Sequence, residues 1–227
     1  MVDRLIRLEG KLRRARLVPA VSAGANDVIP GLRGGSVVLM VGAFEKFLKD
    51  LLVECLSRGA TRYQRFKFDR LPDKLRVHAV FGTLEREIKP PPVLNRPRER
   101  VHRISYVLQA CEAVLQKKVV GEVFTDLGGN PSSRVVRDSL KNVGMDDAFT
   151  LAKAAFEKGW GSAVATTFIN DKLDEIVHKR HEVAHASYVL NVTPQDLRAY
   201  LKFLRVLGQV LESQVRTHVN KVFKQAV

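Results

Sequence analysis

The amino-acid sequence predicts an all-α protein, one single-domain bundle of about seven to eight helices over residues 1–227. Three observations carry this. Apolar residues recur at three- and four-residue spacing in nearly every segment long enough to judge. No stretch alternates apolar and polar residues as a half-buried strand does. The punctuation is that of helices, with Pro131-Ser132 and Thr193-Pro194 opening them and Gly144 and Gly159 closing them. A chain of 227 residues fills one core without dividing, residues 1–35 forming an N-terminal helix and loop and 36–217 the core bundle.

Residues 3–17 read as a short amphipathic helix with Leu5, Leu8, Leu12 and Ala15 on one side. A loop rich in Gly, Asn, Asp and Pro follows from Ala23 to Gly35. Residues 36–57 form a long helix, apolar over more than half its circumference, which predicts a central position. Leu71 to Lys89 reads as a helix with Pro72 in its first turn, where a missing N–H costs little, and Pro90-Pro91-Pro92 stops it. Residues 98–117 and Ser132 to Asn142 give two more helices, and Asp146 to Lys158 a short one ending at Gly159. Ser162 to about Ala186 forms the next. The last opens on an N-cap, Thr193, with proline at N1 and Asp196 at N3, and runs through Leu197, Leu201, Leu204, Leu207 and Leu211.

The net charge of +14 is the strongest compositional signal. It is uneven, because residues 122–175 hold nine acids against six bases. Basic clusters stand at Arg4 to Arg16, at Arg58, Arg62, Arg65, Lys67, Arg70, Lys74 and Arg76, and at Arg96 to Arg103. Tyr63, Phe66 and Phe68 interleave the second cluster. Such a field attracts a polyanion, of which nucleic acid is the usual one, although it also serves as a solvated surface. No apolar run reaches the ~18–20 residues that span a bilayer, and the N-terminus lacks the apolar core of a signal peptide, so a cytoplasmic protein without membrane contact is expected. Cys55 and Cys111, each within a helical apolar pattern, read as buried small hydrophobes in a reducing compartment.

Arg180-His181-Glu182-Val183-Ala184-His185 satisfies two patterns at once. His181-Glu182-x-x-His185 matches the H-E-x-x-H of zinc peptidases, in which two histidines one turn apart hold the metal and the glutamate is general base. The longer form of that pattern fails, because Tyr188 stands where a glycine belongs and Asn191 where a third histidine belongs. Arg180 and His185 also bracket four residues, an R-x(4–6)-H arrangement suited to metal-free RNA cleavage. Histidine moves protons near neutrality, and the planar, permanently charged guanidinium stabilises a phosphorane-like transition state.

At ~100° per residue, Ile169, Leu173, Ile176, Val183 and Ala184 fall on one stripe with Arg180 in its middle. His178, His181 and His185 lie on roughly the opposite side, and Arg180 and His185 are ~140° apart. One helix therefore presents them poorly to one phosphate unless it loosens near Ala186 or a second copy contributes across a two-fold axis. An arginine in that stripe needs an anion or a polar cleft. Glu45, on the flank of the long helix, is a candidate partner, either as a structural ion pair or as support for the site. His78, His102 and His218 read as surface or packing residues, and Trp160 as a core plug at a helix junction.

The chain resembles the HEPN superfamily, specifically its RiboL-PSP-HEPN branch. Three places carry the resemblance in order: Val41 to Leu48 with Phe44-Glu45, Gly129-Asn130-Pro131-Ser132 running into Leu140 to Gly144, and Arg180 to His185 followed by Thr193 to Leu197. The resemblance implies a helical bundle whose homodimer brings two R-x(4–6)-H motifs into one cleft. It further implies metal-independent endoribonuclease activity with no cofactor, and a toxin–antitoxin or anti-phage setting with a cognate inhibitor protein. On it, Arg180 is the phosphate-binding arginine, His185 the catalytic histidine, and His181, Glu182 and Glu45 supporting residues. Arg58, Arg62, Arg65 and Lys67 are the expected RNA-guiding surface. A catalytically silent RNA- or protein-binding module and a zinc peptidase stand as the other readings.

Overall fold

The computed structural model describes residues 4, 6–7, 25–78, 80–81, 84–85, 97–125, 127, 130–185 and 192–227. Every regular element among them is helical. In chain order these are α1 (Ala25–Arg62), a tight turn at Phe68–Arg70, a wide helical turn at Lys74–His78, α2 (Pro97–Leu115), α3 (Gly121–Phe124), α4 (Ser133–Asn142), α5 (Ala148–Trp160), α6 (Phe168–His185) and α7 (Pro194–Gln225). Arg4, Ile6 and Arg7 are helical too, whereas the apolar face expected over residues 3–17 lies outside the described residues.

The two longest helices, α1 with 38 residues and α7 with 32, pack along each other and form the spine. On α1 the residues Val37, Val41, Phe44, Leu48, Leu52 and Leu56 are buried at three- and four-residue spacing. They meet Phe203, Leu207, Leu211, Val215 and Phe223 of α7 in one core, where each large side chain removed from water contributes roughly 1.5–3 kcal/mol. Gly59 lets the helices close at one end, since a Cβ there would sit 2.4 Å from the Phe223 ring. Helices α6 and α3 lie against α1, α5 against α7, and α4 against α6.

Some boundaries differ from expectation for identifiable reasons. The segment Ala23 to Gly35 is not a loop, because α1 begins at Ala25 and runs through Pro30, Gly31, Gly34 and Gly35. Tertiary contact overrides weak helix propensity there. Gly34 packs on α6, Arg33 Nη1 donates to the Val192 carbonyl at 3.0 Å, and Ser36 Oγ donates to the Leu32 carbonyl at 2.8 Å. Helix α5 continues past Gly159, whose Cβ would lie 2.9 Å from Val206 Cγ1. It stops instead at Gly161, which takes the left-handed conformation with φ of 93°. Helix α6 starts at Phe168, not Ser162, because Glu157 Oε1 accepts from the Val164 N–H at 3.0 Å and holds the preceding segment in a turn.

The N-cap of α7 forms as its sequence predicts, with Thr193 Oγ1 accepting from the Asp196 N–H at 3.1 Å and Asp196 accepting in return. Trp160 stacks on Phe156 with ring centroids 5.8 Å apart and meets Phe168 and Phe203, plugging the junction of α5, α6 and α7. Cys55 is buried as expected, but Cys111 is exposed. Helix α2 turns its small residues Ala110 and Ala113 inward, which leaves Cys111 on the opposite side with Ile104, Leu108 and Leu115. Among the described residues no helix is long and apolar enough to cross a membrane.

Candidate functional site

Helix α6 is fixed on three sides. Ile169, Leu173, Ile176 and Val177 are buried and set its inner face. A Cβ on Gly34 would lie 3.1 Å from both Val183 methyl carbons, so α1 crosses the motif turn at close range. Towards α7, Tyr200 Oη donates to Glu175 Oε1 at 2.7 Å, and Lys172 holds the same carboxylate while lying over the Tyr200 ring. Burial, reinforced by that carboxylate, pushes the Tyr200 phenol up. Towards α4, Asp174 accepts from the Ser133 N–H at 2.7 Å and from Ser133 Oγ at 2.6 Å. A carboxylate there meets both unpaired amide donors and the positive end of the α4 dipole.

Arg180 continues the inner stripe and is half-buried. Its Nε is enclosed and finds no hydrogen-bond acceptor among the described residues. A buried charged donor left unsatisfied costs more than the ~1–3 kcal/mol of a neutral one, so Arg180 calls for an anion that none of the described residues supplies to its Nε. Glu45 does not supply it, for no ion pair joins the two residues. The cause is register. With Gly34 opposite Val183, Glu45 lies ~16 Å further along α1, beyond the reach of an arginine one turn from Val183.

The other side of α6 faces an open cleft of about 650 Å³, lined by Asn130, Ser132, Asp174, Glu175, His178 and His181 among others. Asn130 and Ser132 come from the Asn-Pro-Ser-Ser turn that opens α4, held there by the Asp174–Ser133 contacts. His178 and His181 are exposed in this cleft. Helix α6 remains intact through His185, whose backbone position is therefore ~140° round from Arg180; its side chain is outside the described part. Sequence reasoning misses Asp174 and Glu175 as cleft residues, although Asp174 falls within ~40° of His178 on an ideal helix, which marks it as a neighbour.

Glu182 is pinned. Lys179 Nζ donates to its Oε2 at 2.8 Å and His178 Nε2 lies 3.5 Å from its Oε1. The Lys179 hydrogen bond holds the Glu182 carboxyl below the usual glutamate range. Among the described residues no three His, Cys, Asp or Glu side chains gather as a metal-ligand set.

The basic residues Arg58, Arg62, Arg65 and Lys67 are all exposed, at the far end of α1 from the motif. Two of the interleaved aromatics are not available to stack on bases. Phe68 is buried, and Phe66 meets the Phe223 ring edge-on at 5.1 Å. His218 is a packing residue, with Nε2 3.1 Å from the Val143 carbonyl oxygen.

Comparison with known proteins returns one finding. The family model described as RiboL-PSP-HEPN matches residues 17–217. No curated protein and no solved structure matches the chain.

Proposed function

Because the chain belongs to the RiboL-PSP-HEPN family, we propose that it is a metal-independent endoribonuclease whose active site is assembled from two copies. The observation that carries this reading is Arg180, a half-buried guanidinium whose enclosed Nε has no acceptor among the described residues, on the helix that also bears His181 and His185. A phosphodiester supplies the missing acceptor, and a guanidinium fork matches two of its oxygens.

In this reaction the 2′-hydroxyl attacks the adjacent phosphorus as an imidazole takes its proton, and the 5′-oxygen leaves with a proton from a second imidazole. The products are a 2′,3′-cyclic phosphate and a 5′-hydroxyl. His185 serves as base or acid and Arg180 stabilises the extra charge on the transition state. His181 and the Asn130–Ser132 turn position the strand from the cleft side. Since α6 does not loosen before His185, one helix keeps its arginine and histidine ~140° apart, and a two-fold partner completes the set around one phosphate. Arg58, Arg62, Arg65 and Lys67 draw the polyanion in. The cellular setting proposed is a toxin or anti-phage component restrained by an inhibitor protein.

The test is cleavage of RNA by purified protein, with and without a chelator, beside His185→Ala. Cleavage that survives chelation, vanishes in the variant and leaves cyclic phosphate ends supports the proposal. RNA binding without cleavage replaces it with a silent binding module, and chelator-sensitive peptidase activity with bound zinc overturns it.

A further inference from the structure

A second cleft, of about 560 Å³, lies between the C-terminal parts of α1 and α7 and is lined by Arg58, Thr61, Arg62, Arg216 and Asn220 among others. Its arginines are organised by carboxylates. Glu54 holds two of them, Oε1 meeting Arg58 Nη2 at 2.8 Å and Oε2 meeting Arg216 Nη2 at 3.2 Å. Arg216 Nε also donates to Glu212 Oε1 at 3.0 Å. Two guanidinium groups thus meet on the Glu54 carboxylate, and no acceptor for Arg216 Nη1 is found among the described residues. Arg62 lies over the Tyr63 ring, its Cζ 5.7 Å from the centroid.

The surroundings extend the positive field. The Lys67 N–H donates to the Ala226 carbonyl at 2.7 Å and Arg70 Nη1 to the Val227 carbonyl at 3.1 Å, fastening the basic 65–70 segment to the end of α7, where Lys221 and Lys224 are exposed. Phe66 and Phe68 are packed inward and Arg62 lies over Tyr63, and no aromatic side chain lines the cleft among the described residues. Fixed guanidinium forks, a hydroxyl and an amide without aromatics recognise phosphate oxygens, not bases.

From this arrangement we infer that the cleft is a backbone-holding site for RNA, separate from the cleavage centre, which grips a strand by two or three consecutive phosphates. Arg58 is 24 residues from Gly34, so the cleft stands ~36 Å along α1 from the motif turn. An RNA long enough to reach both sites binds more tightly than one that fills the motif alone. The inference deepens the ribonuclease reading and rests on it for the choice of RNA as the polyanion.

The experiment uses the full chain carrying His185→Ala, so that RNA survives, and an unstructured oligouridylate of thirty nucleotides. Fluorescence anisotropy is recorded over a salt series. Arg58→Gln with Arg62→Gln, both exposed positions, is expected to weaken binding about tenfold and to reduce the slope of log affinity against log salt by ~1.4, the loss of two single-strand phosphate contacts. A charge-matched control at two exposed lysines outside the cleft lining, Lys141→Gln with Lys158→Gln, is expected to change affinity less than about twofold. Unchanged affinity and slope in the arginine pair, or an equal loss in the control, overturns the inference. If the unsubstituted chain cleaves no RNA yet the arginine pair lowers affinity as stated, the ribonuclease reading fails and the cleft stands. If cleavage depends on His185 while the arginine pair binds normally, the cleft fails alone.

Discussion

Gly34 and Val183 meet where α1 crosses the motif turn of α6, with room for a hydrogen on Gly34 but not for a larger side chain. That single contact sets the register between the central helix and the helix carrying Arg180 and His185. It also explains why a segment holding Pro30, Gly31, Gly34 and Gly35 is helical at all: the packing on α6 outweighs the poor intrinsic propensity.

Gly34→Val should therefore be costly. Added methyls overpack a site in which a Cβ alone already stands 3.1 Å from two carbons, and such insertions cost about 1–3 kcal/mol. A fall in melting temperature of roughly 2–4 °C per kcal/mol is expected for a chain of this size. Val183→Ala in the same molecule should return most of that loss, because it vacates the space. Independent, additive losses in the double variant would show that the two side chains do not share the contact.

The Asp174–Ser133 pair links stability to the histidine cleft. Asp174→Ala removes the acceptor for one backbone and one hydroxyl donor at the start of α4, a cap worth roughly 0.5–2 kcal/mol. Since that turn also places Asn130 and Ser132 along the cleft, RNA cleavage should fall by more than the loss of folded protein accounts for. Measuring rate per folded molecule separates the two, and a rate that follows folded fraction alone would confine Asp174 to a structural role.

Much of this arrangement is legible in the residues themselves. The 3.6-residue period marks α2 and α4 nearly to their ends and the start of α7, which runs on to Gln225 past the expected bundle boundary at 217. The Thr193–Asp196 capping box is a local device that needs no tertiary help. The motif helix is legible as well, its stripe buried at Ile169, Leu173 and Ile176 and half-buried at Arg180 and Val183, whereas Ala184, expected on the same stripe, is exposed. What was not legible depends on partners remote in sequence. Helix α3 packs on α1 at Gly121, where an added Cβ would sit 2.6 Å from the Val53 carbonyl oxygen, and nothing local announces that approach. Glu45 looked a fitting partner for Arg180 on helical angle, but angle says nothing of axial register, which Gly34 and Val183 decide. Cys111 reads as core because its helix is apolar on two sides and only the tertiary structure selects which one is covered.

His218 gives a pH dependence with a defined sign. Burial pushes its imidazole below the ordinary histidine range, opposed by the hydrogen bond to the Val143 carbonyl, with Lys221 lowering it further and Asp146 raising it. A base whose folded pKa is depressed favours the neutral form in the native state, so the unfolded chain takes up the proton first. Stability from this group is full above about pH 6.5 and declines as pH falls from there through the lower folded value. Melting curves from pH 8 to pH 5 should show this decline, and His218→Gln should flatten the part between pH 6.5 and 5. An unchanged profile in the variant would place the sensitivity elsewhere.

Arg180 offers the sharpest division between folding and function. An arginine satisfied by a private ion pair stabilises the fold, and replacing it with methionine lowers the melting temperature. Here the Nε is enclosed with no acceptor among the described residues, so a methionine of similar reach relieves an unpaired buried donor and packs against the same stripe. Arg180→Met is therefore expected to raise the melting temperature by a few degrees while abolishing RNA cleavage, the trade expected where a charge is kept for chemistry. Arg180→Lys keeps the charge but loses the fork, and should lower kcat by about 10²–10³, the usual consequence of removing one transition-state donor. A methionine variant that melts earlier than the parent chain would mean that the guanidinium holds the bundle together, and the case for it as a phosphate ligand would go with it.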